Sequence, residues 1–171
     1  SYPVETTLSE PDLRRAQDVW PEMFDRAQRR IDIEQFYITP STGEPLEASL
    51  QALERAAARG VKIRFLLEKK FERNSLEGIT RLKTIQGLEL RILDWSQIQG
   101  AGIIHAKFFL VDSTQAYVGS QNFDWRSLKH IHEMGLSVND ARVVRQVQSV
   151  FDRDWALAAG ASPDDAARPE A

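Results

Sequence analysis

The sequence contains no cysteine, and this excludes two classes at once. A disulfide-stapled scaffold and a thiolate metal site both need thiols. No apolar run approaches the roughly 20 residues that a membrane-spanning helix requires. Charge of one sign is not in excess either: 22 Lys and Arg stand against 25 Asp and Glu, a net charge of −3. There is therefore no global basic surface, and nucleic-acid contact would have to come from a local patch. The sequence shows no internal repeat and no signal peptide. It begins at Ser1 without methionine, as expected of a chain whose leader was removed or never included. The cellular compartment stays open.

What is present suits one globular domain. A length of 171 residues, 42% of them hydrophobic and 27% charged, is enough to bury a proper core. The elements follow from hydrophobic period. Pro3 to Leu8 reads as a short first strand. Ser9 can cap a helix, with Pro11 near its start and Leu13, Ala16, Trp20, Phe24 and Ala27 at helical spacing. Pro21 breaks, kinks or restarts that helix. Ile31 to Ile38 reads as a strand, with Tyr37 expected to pack in the core. Leu46, Leu50, Leu53 and Ala57 face one side of a helix that stops at Gly60. Val61 to Leu67 is a strand, Asn74 to Gln86 a helix with Ile79 and Leu82 inward, and Leu88 to Leu93 another strand. After a loop from Asp94 to Gly102 the chain reaches His105.

Here the chemistry concentrates. His105-Ala-Lys-Phe-Phe-Leu-Val-Asp112 is followed by Gly119-Ser-Gln-Asn122, and Glu133 lies eleven residues beyond the asparagine. Ala106 to Val111 is apolar at both parities, the pattern of a strand covered on both faces. Alternation puts His105 and Lys107 on one side. Ala116 to Val118 starts a second strand, after which Ser120 and Asn122 share a side. On a third run, His132 to Val138, Glu133, Gly135 and Ser137 oppose Met134, Leu136 and Val138. One His, one Lys, one Ser, one Asn and one Glu thus converge at neighbouring strand ends, beside small residues. A buried lysine needs an anionic partner, either Glu133 or a bound phosphate. Asp112 falls at the opposite parity from His105, so it closes the turn after the strand instead.

A phosphodiester needs a nucleophile, charge neutralisation on its non-bridging oxygens and an acid for the leaving oxygen. Histidine can attack phosphorus and split one hard step into two. A carboxylate on its other nitrogen fixes the tautomer, and Lys and Asn donate to phosphoryl oxygens.

The pattern H105-x-K107-x4-D112-x6-G119-S-x-N122 resembles the HKD motif of the phospholipase D superfamily, and Phe123-Asp-Trp-Arg-Ser-Leu128 with Glu133 extends it. The resemblance implies that His105 is the nucleophile, that Lys107 and Asn122 bind phosphate, that Ser120 assists, and that Glu133 orients the histidine. Asp112 and Gly119 are the structural members. The D-W-R-S-L continuation is similar to the first lobe of bilobed members that include lysosomal exonucleases and poxvirus envelope phospholipases. The implied activity is a metal-independent, cofactor-free phosphodiesterase working through a phosphohistidine. Phospholipid ranks first as substrate, on the superfamily's commonest use, and nucleic acid close behind; a non-catalytic binding lobe is the alternative from another class. The implied active site is built from two such motifs, and this chain has one. The second is expected in cis, from a longer two-lobed protein, or otherwise from a second copy in a homodimer. Peripheral membrane contact is one further partner the lipid reading allows.

The remaining features read more blandly. His130 and His132 could bind metal, but no carboxylate or cysteine stands at a matching spacing, so they are expected to flank the site entrance. Lys69, Lys70 and Arg73 interleave with Glu68 and Glu72, as on a solvated face. Trp125 and Arg126 either shape a substrate channel or pack under its floor. Asn139-Asp140 caps a last helix with Val143, Val147, Val150, Phe151 and Trp155 as its stripe. From Ala158 the chain reads as a linker or disordered tail, leaving residues 1–157 as the lobe. The fold class is α/β: a mixed, mostly parallel sheet with helices on both faces.

Overall fold

The alternation of apolar residues along each strand and each helix face dictates a two-sided sheet. The computed structural model describes residues 1–167. In chain order the elements are α1 (Ala16–Arg26), β1 (Arg30–Gln35), β2 (Ile38–Thr39), α2 (Leu46–Ala58) and β3 (Lys62–Glu68). A 3-10 helix (Lys69–Ser75) leads into α3 (Leu76–Lys83), β4 (Leu88–Leu93) and α4 (Trp95–Gln99). Then come β5 (Lys107–Val111), β6 (Gln115–Gly119), β7 (Phe123–Asp124), α5 (Trp125–Lys129), β8 (Gly135–Val138), α6 (Ala141–Ala158) and α7 (Pro163–Ala166).

Six strands form one sheet in the order β4-β3-β1-β5-β6-β8, and β2 pairs with β7 beside it. β4, β3 and β1 are mutually parallel, joined through α2 and α3. β5, β6 and β8 continue the sheet antiparallel, with Gln35 opposite Lys107, Phe108 opposite Val118 and Gly119 opposite Gly135. This is the mixed α/β architecture expected from the sequence, but the six-stranded sheet is not mostly parallel. Two of its strand pairings are parallel and three antiparallel, because β5 turns straight back into β6 instead of through a helical crossover. The carboxyl ends of β1, β3, β4 and β6 and the amino ends of β5 and β8 therefore meet along one edge.

One face of the sheet buries Ile31, Ile33, Phe65 and Phe109 against α1 and α2, where Trp20 stacks on Phe123 with ring centres 5.1 Å apart. The other face buries Leu66, Phe108 and Leu110 against Phe151 and Trp155 of α6. Arg64 lies over both of those rings, 4.7 and 5.4 Å from their centres. Burying such aromatic side chains stabilises each sheet face by roughly 1.5–3 kcal/mol per ring.

Several expectations are corrected. Pro3 to Leu8 forms turns instead of a strand, because Thr6 bonds back to the Pro3 carbonyl through both its amide and its hydroxyl. The first helix starts at Ala16, not after Ser9, and Leu13 is 65% exposed. Pro21 sits inside that helix, which runs on through it. The strand from Ile31 ends at Gln35, whose side-chain oxygen accepts the Phe123 amide at 3.1 Å. The chain turns at Phe36-Tyr37 and pairs again as β2. The third helix is shortened because Glu68 accepts the Lys70 amide and starts a 3-10 segment. On α6, Asp140 accepts the amides of Arg142 and Val143. The inward face there is Val144, Phe151, Asp154 and Trp155, while Val143 and Val150 are each 38% exposed. The third motif run enters the ladder only at Gly135. In the stretch read as a tail, Ser162 caps the short helix α7, and Ala166 is buried in the second core. Residues 168–171 lie outside the described residues.

Candidate active site

His105 sits just before β5, exposed, while Lys107 is the first residue of the strand and 7% exposed. Strand alternation brings both to the same edge. Lys107 Nζ donates to the His105 carbonyl at 2.8 Å. Burial pushes the Lys107 ammonium below its ordinary value, and Glu133 pulls it partly back. Glu133 makes no ion pair with it among the described residues, so the ammonium keeps donor capacity directed at the edge. His105 is likewise lowered, by burial first and then by the Lys107 charge. A lowered value keeps the ring neutral, as a nucleophile requires.

The second motif segment lies beside the first through the β5–β6–β8 ladder. Gly119 and Gly135 face each other, and each is needed for close approach. A Cβ on Gly135 would collide with the Tyr117 hydroxyl, and one on Gly119 with the side-chain oxygen of Gln121. Tyr117 donates to that same Gln121 oxygen at 3.3 Å beneath the glycines. Ser120 is bonded to Met134 through its amide at 2.9 Å, and its hydroxyl accepts the Met134 amide at 3.2 Å. That hydroxyl thus steadies the residue next to Glu133. The Asn122 side-chain oxygen is buried with no hydrogen-bond partner among the described residues. Glu133 exchanges backbone hydrogen bonds with Ser1, each 3.0 Å, and no hydrogen bond joins its carboxylate to His105.

Asp112 is remote from the cluster. With φ of 54° it closes the turn after β5, and its carboxylate accepts the amides of Gln28, Arg29 and Arg30 at 2.7–2.9 Å. Those three bonds hold its carboxyl below the usual range against a burial effect that raises it.

Three features were misread or missed in the sequence. Glu68, read there as part of a solvated charged face, is instead 2% exposed: it accepts the Ile104 amide at 2.6 Å and so fixes the residue before His105. Asp124, 1% exposed, accepts from the Tyr37 hydroxyl at 2.9 Å, from the Arg126 amide and from the Arg126 guanidinium. It caps α5, and burial together with that bond pushes Tyr37 up to about 12. The third is aromatic. Phe36 packs on the His105 ring at 4.7 Å and lies 5.3 Å from Lys107 Nζ. Phe71 packs on Phe36 at 4.1 Å, and Tyr37 lies against both rings. Tyr37 is half-buried in this wall and not in either core. The signal for these residues was weak, because an acidic residue at a strand end and an isolated Phe carry no period.

The other candidates are accounted for. His130 pairs with Glu5 and packs on Trp125, and His132 is exposed. Trp125 packs against the first core, while Arg126 is spent on Asp124. Among the described residues no group of three or more His, Asp and Glu is placed to hold a metal ion. None of their helices is long and apolar enough to cross a membrane.

Comparison with known proteins gives the family. A family model described as "Cardiolipin synthase, PLD-like domain" matches residues 21–155. The chain is 32% identical over 148 residues to phospholipase D Z of Dictyostelium discoideum, covering 81% of this chain and 35% of that protein. It is 34% identical over 161 residues to the 5'-3' exonuclease PLD3 of Rattus norvegicus, covering 88% and 32%. The chain thus spans about a third of the length of these curated relatives. Among solved structures, NucT from Helicobacter pylori superposes with a TM-score of 0.72 at 16% identity, over 81% of this chain and 86% of that one. The HKD spacing, the edge-of-sheet cluster and the matched residues 21–155 make this chain a member of the phospholipase D-like family of phosphodiesterases.

Proposed function

We propose that His105 is the nucleophile of a metal-independent phosphodiesterase whose active site is completed by a second HKD motif. The observation that carries the reading is the juxtaposition of a lowered, exposed His105 with a buried Lys107 that forms no ion pair among the described residues. A diester oxygen accepting from Lys107 and Asn122 would place phosphorus in front of the imidazole. The ring nitrogen forms a bond to phosphorus, the ester oxygen departs with the electron pair of the broken P–O bond, and the facing histidine protonates it. Water, deprotonated by that second histidine, then attacks phosphorus and breaks the P–N bond. An alcohol in place of water gives transfer instead of hydrolysis. Lys107 and its counterpart supply the charge neutralisation that a divalent ion gives other phosphodiesterases.

Glu133 is read as orienting the histidine in the completed assembly, and Ser120 as supporting Glu133 through Met134. The second motif is proposed in cis, since the match covers only about a third of each of these curated relatives. A phosphodiester is the substrate. The sequence ranking put phospholipid first, and relatives' names include both a phospholipase D and an exonuclease; the class is argued below from the wall beside His105. The test is to trap an acid-labile phosphoryl-enzyme with a labelled diester in the two-motif protein, with and without chelator. Labelling that is absent from His105→Asn and indifferent to chelator supports the reading. Labelling that persists in His105→Asn, or activity that vanishes in chelator and returns with a divalent ion, overturns it.

A further inference from the structure

The wall on the β3 side of His105 combines two chemistries that the core does not need. Phe71 projects from the 3-10 helix that follows Glu68, and it is only half-buried. Its ring contacts Phe36, which in turn touches His105. The Tyr37 ring lies 6.1 Å from it at an interplanar angle of 26°. The same short helix carries three cations. Lys69 is paired with Glu72, whereas exposed Lys70 and Arg73 have no carboxylate partner among the described residues. Glu68 ties this wall to the nucleophile directly, since its two oxygens accept the amides of Lys70 and Ile104.

We infer that Phe71, Lys70 and Arg73 form a landing for single-stranded nucleic acid, with a base on the Phe71 ring, neighbouring phosphates on the two cations, and the scissile phosphate at His105. The inference rests on the phosphodiesterase reading and names its substrate class. Aromatic rings beside unpaired cations are what a single strand uses: every base has a π-face and every linkage a charge. A duplex keeps its bases stacked inside and would offer none to Phe71. An acyl chain, by contrast, would need an aliphatic surface. Exposed Val118, Met134 and Leu136 lie on or next to β6 and β8, across His105 from this wall. Exposed Leu76 lines a different cleft, with Pro40, Thr80 and Arg81.

The test uses the complete two-motif protein. Binding of a fluorescein-labelled oligothymidylate is read by anisotropy in the His105→Asn background, which prevents cleavage. Phe71→Leu in that background keeps an apolar contact with Phe36 but removes the ring face. It is expected to weaken binding about tenfold. In the active protein the ratio of kcat/KM for oligothymidylate to that for bis(p-nitrophenyl) phosphate falls by a similar factor. Lys70→Gln with Arg73→Gln lowers the slope of log affinity against log salt by about 1–2. Melting curves establish that each variant is folded. Unchanged oligonucleotide affinity in Phe71→Leu overturns the landing, as does hydrolysis of phosphatidylglycerol vesicles by a protein that neither binds nor cuts the oligonucleotide. Failure of the wild-type protein to hydrolyse bis(p-nitrophenyl) phosphate sinks the phosphodiesterase reading instead, and the anisotropy result stands apart from it.

Discussion

Glu68 accepts the Ile104 amide at 2.6 Å, across the gap between the end of β3 and the loop that delivers His105. The contact is buried, so its loss leaves an amide without a partner, at a cost of about 1–3 kcal/mol. Glu68→Ala is therefore expected to lower stability by that amount. It should also lower kcat more than KM, since the nucleophile loses its fixed approach. Glu68→Gln keeps one acceptor oxygen and should recover much of both. Denaturant unfolding with diester hydrolysis reads the two effects; equal KM and kcat losses in Glu68→Ala would argue against a positioning role.

His105→Asn should abolish turnover, by at least about a thousandfold, with the fold intact. His105 is exposed and makes no side-chain hydrogen bond among the described residues, so little structural support is removed. Glu133→Gln should cost less, because orientation suffers before attack does. Hydrolysis of a chromogenic diester beside circular dichroism checks both, and wild-type turnover in His105→Asn would refute the assignment.

The Lys107 charge helps to hold His105 below its ordinary value, after burial. Removing it in Lys107→Met should raise the His105 pKa, so the acid limb of kcat/KM moves to higher pH. The stability consequence has the matching sign. A histidine lowered in the folded state binds fewer protons there than when unfolded, so its contribution is lost as pH falls from 6.5 through the folded value. A histidine NMR titration of the two proteins tests the direction of the shift.

Glu34 on β1 is 1% exposed, and both its oxygens lack a hydrogen-bond donor among the described residues. Burial first, and then the Asp154 carboxylate, raise it well above its ordinary value of 4.5. A raised carboxyl contributes stability that is fully present below the unfolded value and is lost as pH rises through the folded one. The protein should therefore lose stability toward alkaline pH, and Glu34→Gln should be the more stable at pH ~8, on the order of 1–4 kcal/mol. Chemical unfolding at acid and alkaline pH checks this; equal sensitivity in both proteins would refute it.

How much of this was legible in sequence depends on whether a residue announces itself by period or only by tertiary contact. His105, Lys107 and Asn122 lie at strand ends where alternation fixes their side, and Asp112 was separable from them by parity alone. Val144 takes the inward place expected of Val143 on α6, because the stripe anchored by Phe151 and Trp155 runs back through Val144 at helical spacing and leaves Val143 and Val150 partly exposed. Pro3 to Leu8 carried strand propensity but found no neighbouring strand to pair with. Tyr37 looked like a core residue and Phe71 gave no signal, since nothing in one dimension shows that two separated segments bring their rings to the wall beside one histidine. Glu68 and Glu34 are both buried acids on the same face of the sheet, yet one meets amides and the other a second carboxylate. Only the fold distinguishes them.

The last prediction concerns assembly. The chain carries one HKD motif, and at its edge Met134 is 71% exposed and Leu136 65%. Both belong to β8 or the residue before it, the last strand in the sheet order, whose outer edge has no partner strand among the described residues. A cleft of about 370 Å³ runs alongside, between the N-terminal stretch and Glu133, Met134 and Gly135. An unpaired edge with exposed apolar side chains beside the HKD cluster is suited to the second lobe proposed above. With that lobe in cis, the isolated chain should be monomeric or weakly associating and nearly inactive. Met134→Lys with Leu136→Lys in the complete protein should then separate the lobes and lower activity by an order of magnitude or more, while leaving the isolated chain folded. Sedimentation of the isolated chain beside a diester assay decides the arrangement. A stable, fully active homodimer would show that two copies of this chain make the site, and the cis arrangement would be wrong.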